Sequence, residues 1–266
     1  MIDSGKNSVL GIMINAIDYD AAIQRINAAS VDGRSCLVTA LAVHGIITGV
    51  QSAEHQYRLN SFDLVVPDGQ PVRWALNLLH GAGLRDRVYG PELTLRLLRF
   101  AEEKKLPVYF YGSTQIVLNA FIRNLRFRFR KLIIAGSESS KFRTLSEDER
   151  LNIASRIIGT GARMVFVGLG CPRQEVFAYE MRDILPMPVI AVGAAFPFIA
   201  GQLPQAPPLM QRLGLEWLYR LRNEPRRLWR RYLLLNPLYL LLLGAQVLGR
   251  TFPTDGQRPP NRLLFG

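Results

Sequence analysis

Apolar residues fall along this chain in short unbroken runs, and nearly every run is followed by a stretch with helical spacing. VLGIMIN (9–15) reads as a short strand, and Asp18 caps a helix from about Tyr19 to Ala29. SCLVTAL (35–41) predicts a buried strand, and helical spacing follows from Val43 to Asn60. FDLVV (62–66) predicts the next strand, ended by the turn Pro67-Asp68-Gly69, and QPVRWALNLLH predicts a helix. Pro91 opens the helix PELTLRLLRFAEEKK, and PVYFY (107–111) is a strand. Gly112-Ser113 begins a helix that ends in the basic cluster Arg123–Lys131, and LIIAG is a further strand. Ser146 and Glu149 form a capping box for SEDERLNIASRII. The strand ARMVFVG leads through the loop LGC into a helix opening at Pro172, and PVIAVG (188–193) is the last strand.

Runs without polar interruption belong to strands covered on both faces. Their alternation with helices predicts an α/β fold: a three-layer domain around a mostly parallel sheet. The strand pattern stops after about Gly201. A boundary near Gln205 separates an α/β domain (1–205) from a helical C-terminal appendage (206–266). The proline-rich tail from Thr251 is expected to be poorly ordered.

Charge changes the picture most in the appendage. Glu216–Tyr232, EWLYRLRNEPRRLWRRY, holds Arg220, Arg222, Arg226, Arg227, Arg230 and Arg231, interleaved with Trp217, Tyr219, Trp229 and Tyr232. An uncharged segment, 233–249, follows. This is either a solvated basic helix or a site that meets an anion beside a membrane. The uncharged segment is barely long enough to span a bilayer and is interrupted by Asn236-Pro237. It is expected to lie in one leaflet rather than to cross. The net charge of +12 implies anionic partners without choosing among them. No nucleic-acid-binding motif is present, and the arginines from Arg123 to Arg130 read as a solvated helix end, so nucleic acid is not an expected partner. Cys36 and Cys171 are the only cysteines, and His44, His55 and His80 are isolated. No metal site and no cofactor are expected, and a reducing compartment fits. The first residues lack the basic and apolar regions of a signal peptide.

Open parallel sheets bind ligands at the carboxyl ends of their strands. Thr39, Asp68, Gly112-Ser113 and Gly168-Leu169-Gly170 all stand at such ends. The last two lead into helices whose free N–H groups suit a phosphate. Neither a G-x-G-x-x-G motif after a strand nor a P-loop occurs, so a dinucleotide or nucleoside triphosphate site lacks support. Asp68 is either a general base facing the cleft or a turn residue bonded to its own loop. Gln174 can reach a ligand at the Gly168–Gly170 end. Arg220 and Arg227, seven apart, share a helix face, and Arg230 borders it; together they could grip a diphosphate. Arg226 and Arg231 are left for lipid headgroups.

These blocks resemble the WecG/TagA/CpsF glycosyltransferases. The matching elements are Thr39, VVPDGQPV (65–72), RVYGPEL (87–93), FYGS (110–113), VFVGLGCPRQE (165–175), VGAAFPFIAG (192–201), QAP (205–207) and LGLEWLYRLRNEPRRLWRRYL (213–233). The resemblance implies a Rossmann-like domain with a membrane-associating C-terminal appendage that completes the active site. It implies inverting, metal-independent transfer from a UDP-sugar to a polyprenyl-diphosphate-linked saccharide, at the cytoplasmic face of the bacterial inner membrane. Expected donors are N-acetylmannosamine, its uronic acid or glucose. By the same resemblance Asp68 and Thr39 are catalytic. Arg87, Ser113, Gly168, Gly170, Gln174, Arg220, Arg227 and Arg230 contact substrate. The chain departs from the family pattern at Leu41, Gly90-Pro91-Glu92, Pro197 and Gln205, which bears on the donor sugar. A membrane-docking member without catalysis is the alternative, and the oligomeric state, monomer or homo-oligomer, stays open.

Overall fold

The computed structural model describes residues 1–266. Its strands are β1 (Asp3–Val9), β2 (Ile12–Ile17), β3 (Cys36–Leu41), β4 (Leu64–Pro67), β5 (Val108–Gly112), β6 (Ile134–Glu138), β7 (Met164–Gly168) and β8 (Pro188–Ala191). The last six form one parallel sheet in the order β4-β3-β8-β7-β5-β6. Side chains alternate between its faces, as the strand period requires. Leu37, Val65, Tyr109, Val165 and Val189 join one core, and Val38, Leu64, Phe110, Phe166 and Ile190 join the other. Helices cover both, giving the expected three layers.

The amino-terminal strand is longer and differently built than expected. Residues 9–15 hold the turn of an antiparallel hairpin between β1 and β2. Leu10 and Gly11 both have positive φ (54° and 82°), the geometry that joins two strands through two residues. Burial of the Leu10 side chain, 1% exposed, offsets the strain. The polar sequence of β1, DSGKNSV, concealed its strand. The expected helix over 43–60 is two, Val43–Val50 and Ala53–Asn60. Ser52 divides them: its side chain accepts from the His55 N–H at 3.2 Å and starts the second helix.

The C-terminal segment forms helices Pro208–Arg212, Glu216–Asn223 and Pro225–Arg230, a π-helical turn Arg231–Leu235, and helix Asn236–Val247. Tyr239 anchors the last helix: its ring is buried in the core and its hydroxyl donates to the Pro71 carbonyl at 3.1 Å. No helix of the chain is long and apolar enough to cross a membrane. Leu233, Leu234, Leu240, Leu241 and Leu248 remain exposed on this segment.

The tail from Thr251 lies against the α/β domain. Its backbone supplies acceptors to the α/β domain: Gln56 donates to the Pro253 carbonyl at 2.7 Å and Asn60 to the Thr254 carbonyl at 2.8 Å. Farther on, Phe265 forms a β-bridge with Thr144.

Candidate active site

Asp68 stands where β4 ends. Its N–H donates to the Leu41 carbonyl at 3.1 Å, which ties the turn to the neighbouring strand β3. Its Oδ1 accepts from the Gly90 N–H at 2.6 Å, 22 residues farther along the chain. The carboxylate is thus held by a distant loop and not by its own turn. Burial pushes its pKa up, as does Glu216; Arg87, the Gly90 hydrogen bond and Arg220 pull against this, and the net shift is upward.

Two cavities meet at Asp68. The larger, about 1460 Å³ with its mouth, runs across the carboxyl ends of β3, β5, β7 and β8. Ser113, Gly168, Gly170, Gln174 and Arg227 line it. The smaller, about 620 Å³ with its mouth, lies under the C-terminal helices and is lined in part by Arg87, Glu216, Trp217 and Tyr232. Asp68, Arg220 and Arg231 belong to both walls.

The floor of the larger cavity depends on close packing. A Cβ on Gly168 would lie 2.6 Å from the Phe196 ring, and one on Gly193 would lie 2.7 Å from Gln174 Oε1. Only glycine leaves those contacts free of collision. Behind the floor, a buried hydrogen-bond chain fixes the 168–170 loop. The Thr39 hydroxyl donates to Glu175 Oε1 at 2.9 Å, and Gln174 Nε2 donates to the same oxygen at 2.9 Å. The Gly170 N–H in turn donates to Gln174 Oε1 at 3.1 Å. Thr39 is fully buried and lines neither cavity, so the geometry separates it from the reacting groups. It supports Glu175 and Gln174 instead. Burial pushes the Glu175 carboxyl up.

The arginines divide differently from their sequence assignment. Arg87 pairs with Glu216 at 2.6 Å and stacks 4.2 Å from the Tyr89 ring centre. Arg227 pairs with Glu224 at 2.5 Å. Arg220 and Arg231 form no ion pair, and Nε of each is buried without a hydrogen-bond partner. Arg231 is short of compensation: burial pulls its pKa down. Arg230, expected in the cleft, is exposed and lies against Trp229, 5.2 Å from the ring centre. Residues three and four beyond Arg227 both border its helix face, so sequence spacing alone did not choose between them. The π-helical turn that begins at Arg231 goes with that residue facing inward.

His55, Cys171 and Glu175 each place a ligand atom within 4.8 Å of the others, and Cys171 and Glu175 line the larger cavity. Both ring nitrogens of His55 and Oε2 of Glu175 lack partners. These are the side chains best placed to hold a metal ion. They come from separate elements, so no sequence spacing announced them. Glu216 was missed for a related reason: one acidic residue at a helix start reads as a partner of the helix dipole.

Residues 7–252 match the glycosyl transferase WecG/TagA/CpsF family. A Bacillus spizizenii protein named N-acetylglucosaminyldiphosphoundecaprenol N-acetyl-beta-D-mannosaminyltransferase is 35% identical over 185 residues, 69% of each chain. A protein of the same name from Bacillus subtilis is 31% identical over 195 residues, 73% of each chain. With Asp68 between two cavities, and with relatives of this kind matched along most of its length, the chain is a glycosyltransferase that belongs to the WecG/TagA/CpsF family.

Proposed function

We propose that this glycosyltransferase moves a sugar from a UDP-sugar to a polyprenyl-diphosphate-linked saccharide, with inversion and without a metal. The observation that carries this reading is Asp68, set between two cavities beside two unpaired guanidinium groups. The larger cavity takes the donor, and the acceptor approaches from the other side. Asp68 removes the proton of the acceptor hydroxyl. That oxygen attacks the anomeric carbon opposite UDP, and the bond to UDP breaks with its electron pair leaving on the diphosphate. A single displacement inverts the centre.

The upward pKa shift of Asp68 suits a general base, whose proton affinity should approach that of its surroundings at working pH. The leaving diphosphate is met by Arg220 and Arg227, and by the loops at Ser113 and Gly170. Fixed positive groups in a partly dry cleft stabilise developing negative charge in the manner of an oxyanion hole. They supply the charge that a divalent cation supplies in other transferases; the Asp-x-Asp of the chain, Asp18-Tyr19-Asp20, lines neither cavity, and Asp18 caps a helix by accepting from the Ala21 N–H at 3.0 Å.

The names of the relatives support N-acetylmannosamine as the donor sugar and a diphosphoundecaprenol-linked acceptor. Its uronic acid and glucose remain candidates, because Leu41, Pro91 and Pro197, three departures from the family pattern, all line the larger cavity. The departures at Leu41, Pro197 and Gln205 favour the second reading, a docking protein that has lost catalysis; the intact Asp68 site favours transfer. Exposed leucines beside the exposed Arg222, Arg226 and Arg230 suit peripheral attachment to the cytoplasmic face of the inner membrane. A screen of UDP-sugars against a polyprenyl-diphosphate-linked N-acetylglucosamine, read by product mass, tests the reaction. One sugar should add. No addition from any UDP-sugar, with the protein folded, overturns transfer.

A further inference from the structure

We propose that the smaller cavity is the acceptor's own subsite, in which Arg231 meets the lipid diphosphate while Trp217, His44 and Asn236 hold the sugar next to Asp68. The assignment rests on the transfer reaction proposed above. That reaction brings two diphosphates to one carboxylate, one on the donor and one on the acceptor. The chain carries two unpaired guanidinium groups there, Arg220 and Arg231, each with a buried Nε lacking a partner. A buried guanidinium without an anion is costly, and a diphosphate supplies paired acceptors for its fork of donors.

The walls of the smaller cavity suit a sugar. Trp217 and Tyr232 stand with ring centres 6.0 Å apart and planes inclined by 57°, which makes an aromatic corner. Such rings present an apolar face to a ligand while the few polar groups around them set its orientation. His44 Nδ1 is buried and unpartnered. Burial and the nearby Arg231 hold the His44 pKa at about 4, so its ring is neutral near pH 7 and offers one donor and one acceptor. Asn236 lines the cavity and also begins the last helix. That helix carries Leu240 and Leu241 outward, 63% and 71% exposed. A polyprenyl chain leaving the cavity mouth along this segment meets apolar surface and then lipid. The interruption at Asn236-Pro237, which argued against a membrane span, thus gains a role of its own.

The two cavities predict independent binding. Calorimetry on the full chain in detergent should use two probes, UDP and a short-chain prenyl-diphosphate-linked N-acetylglucosamine. Both should bind at once. His44→Ala and Asn236→Ala, which alter only the smaller cavity, should weaken the prenyl probe several-fold or more and leave the UDP affinity within about twofold, in keeping with the loss of one hydrogen bond. Arg231→Gln should weaken the prenyl probe by about tenfold or more, since a charge-assisted bond is lost. Retained UDP binding shows that the His44 and Asn236 variants are folded; for Arg231→Gln, whose side chain also lines the donor cavity, an unchanged circular dichroism spectrum does so. Mutual displacement of the probes overturns the assignment, as does loss of UDP affinity with the prenyl probe unaffected, or indifference of the prenyl probe to all three substitutions. If no UDP-sugar supports transfer while both probes bind together and the variants behave as stated, the reaction fails and the subsite stands.

Discussion

The ion pair between Arg87 and Glu216 fastens the C-terminal helices to the α/β domain, and Arg87→Met tests that role. Its nitrogen and oxygen are 2.6 Å apart, with side chains only 9% and 12% exposed. Removing one partner of a buried pair costs about 3–5 kcal/mol, because the other charge is left unmatched. Glu216 keeps the Tyr89 hydroxyl at 3.3 Å and faces a cavity open to water, so the low end, about 3 kcal/mol, is the expected loss. The pair Arg96–Glu92, 41% and 43% exposed, is the internal control and should contribute at most about 1 kcal/mol. Urea denaturation of Arg87→Met, Glu216→Gln and the double variant gives the coupling between the two side chains. A coupling of about 1–3 kcal/mol, well above that of the control pair, is expected from two contacting side chains in one network. A coupling no larger than the control's refutes the claim that this pair holds the appendage in place.

Other consequences follow from the same geometry. Asp68 must be ionised to act, and its pKa is raised in the folded protein, so kcat/KM should fall with decreasing pH through a value above the ordinary aspartate value of about 3.9. Glu216→Gln removes an anion that faces Asp68 and should move this acid limb to lower pH; an unmoved limb in a pH–rate profile counts against their interaction. Leu240→Asp with Leu241→Asp should reduce sedimentation with anionic lipid vesicles while leaving UDP affinity unchanged, and equal sedimentation removes these leucines from the membrane surface. Transfer should proceed at the same rate after exhaustive EDTA treatment. A loss restored by added divalent ion contradicts metal independence and directs attention to His55, Cys171 and Glu175.

The layered fold was legible because fully covered strands need apolar runs, and the interiors of four of the six sheet strands carry them unbroken, with Thr39 alone interrupting β3. Asp68 was legible as a strand-end carboxylate, but its hold by Gly90 was not, since that contact spans 22 residues. Thr39 shows the opposite limit. Its position at a strand end was read correctly, yet the direction of its side chain, into the buried Glu175, depends on packing from a helix 136 residues away. Arg230 and Arg231 were exchanged because both lie near the Arg227 face, and a π-helical turn leaves no clear trace in residue type. β1 escaped notice because its polar residues pair only with β2 and half of its surface stays wet.

Asp68→Asn is the most direct test of the central claim, that Asp68 is the base between donor and acceptor. The substitution keeps the side-chain oxygen that accepts from Gly90 and removes the charge. With a UDP-sugar donor and a polyprenyl-diphosphate-linked acceptor, kcat should fall by about 100- to 10,000-fold, the usual worth of general base catalysis. UDP affinity and the circular dichroism spectrum should stay near wild type. A folded Asp68→Asn protein that turns over within a few-fold of wild type contradicts the claim.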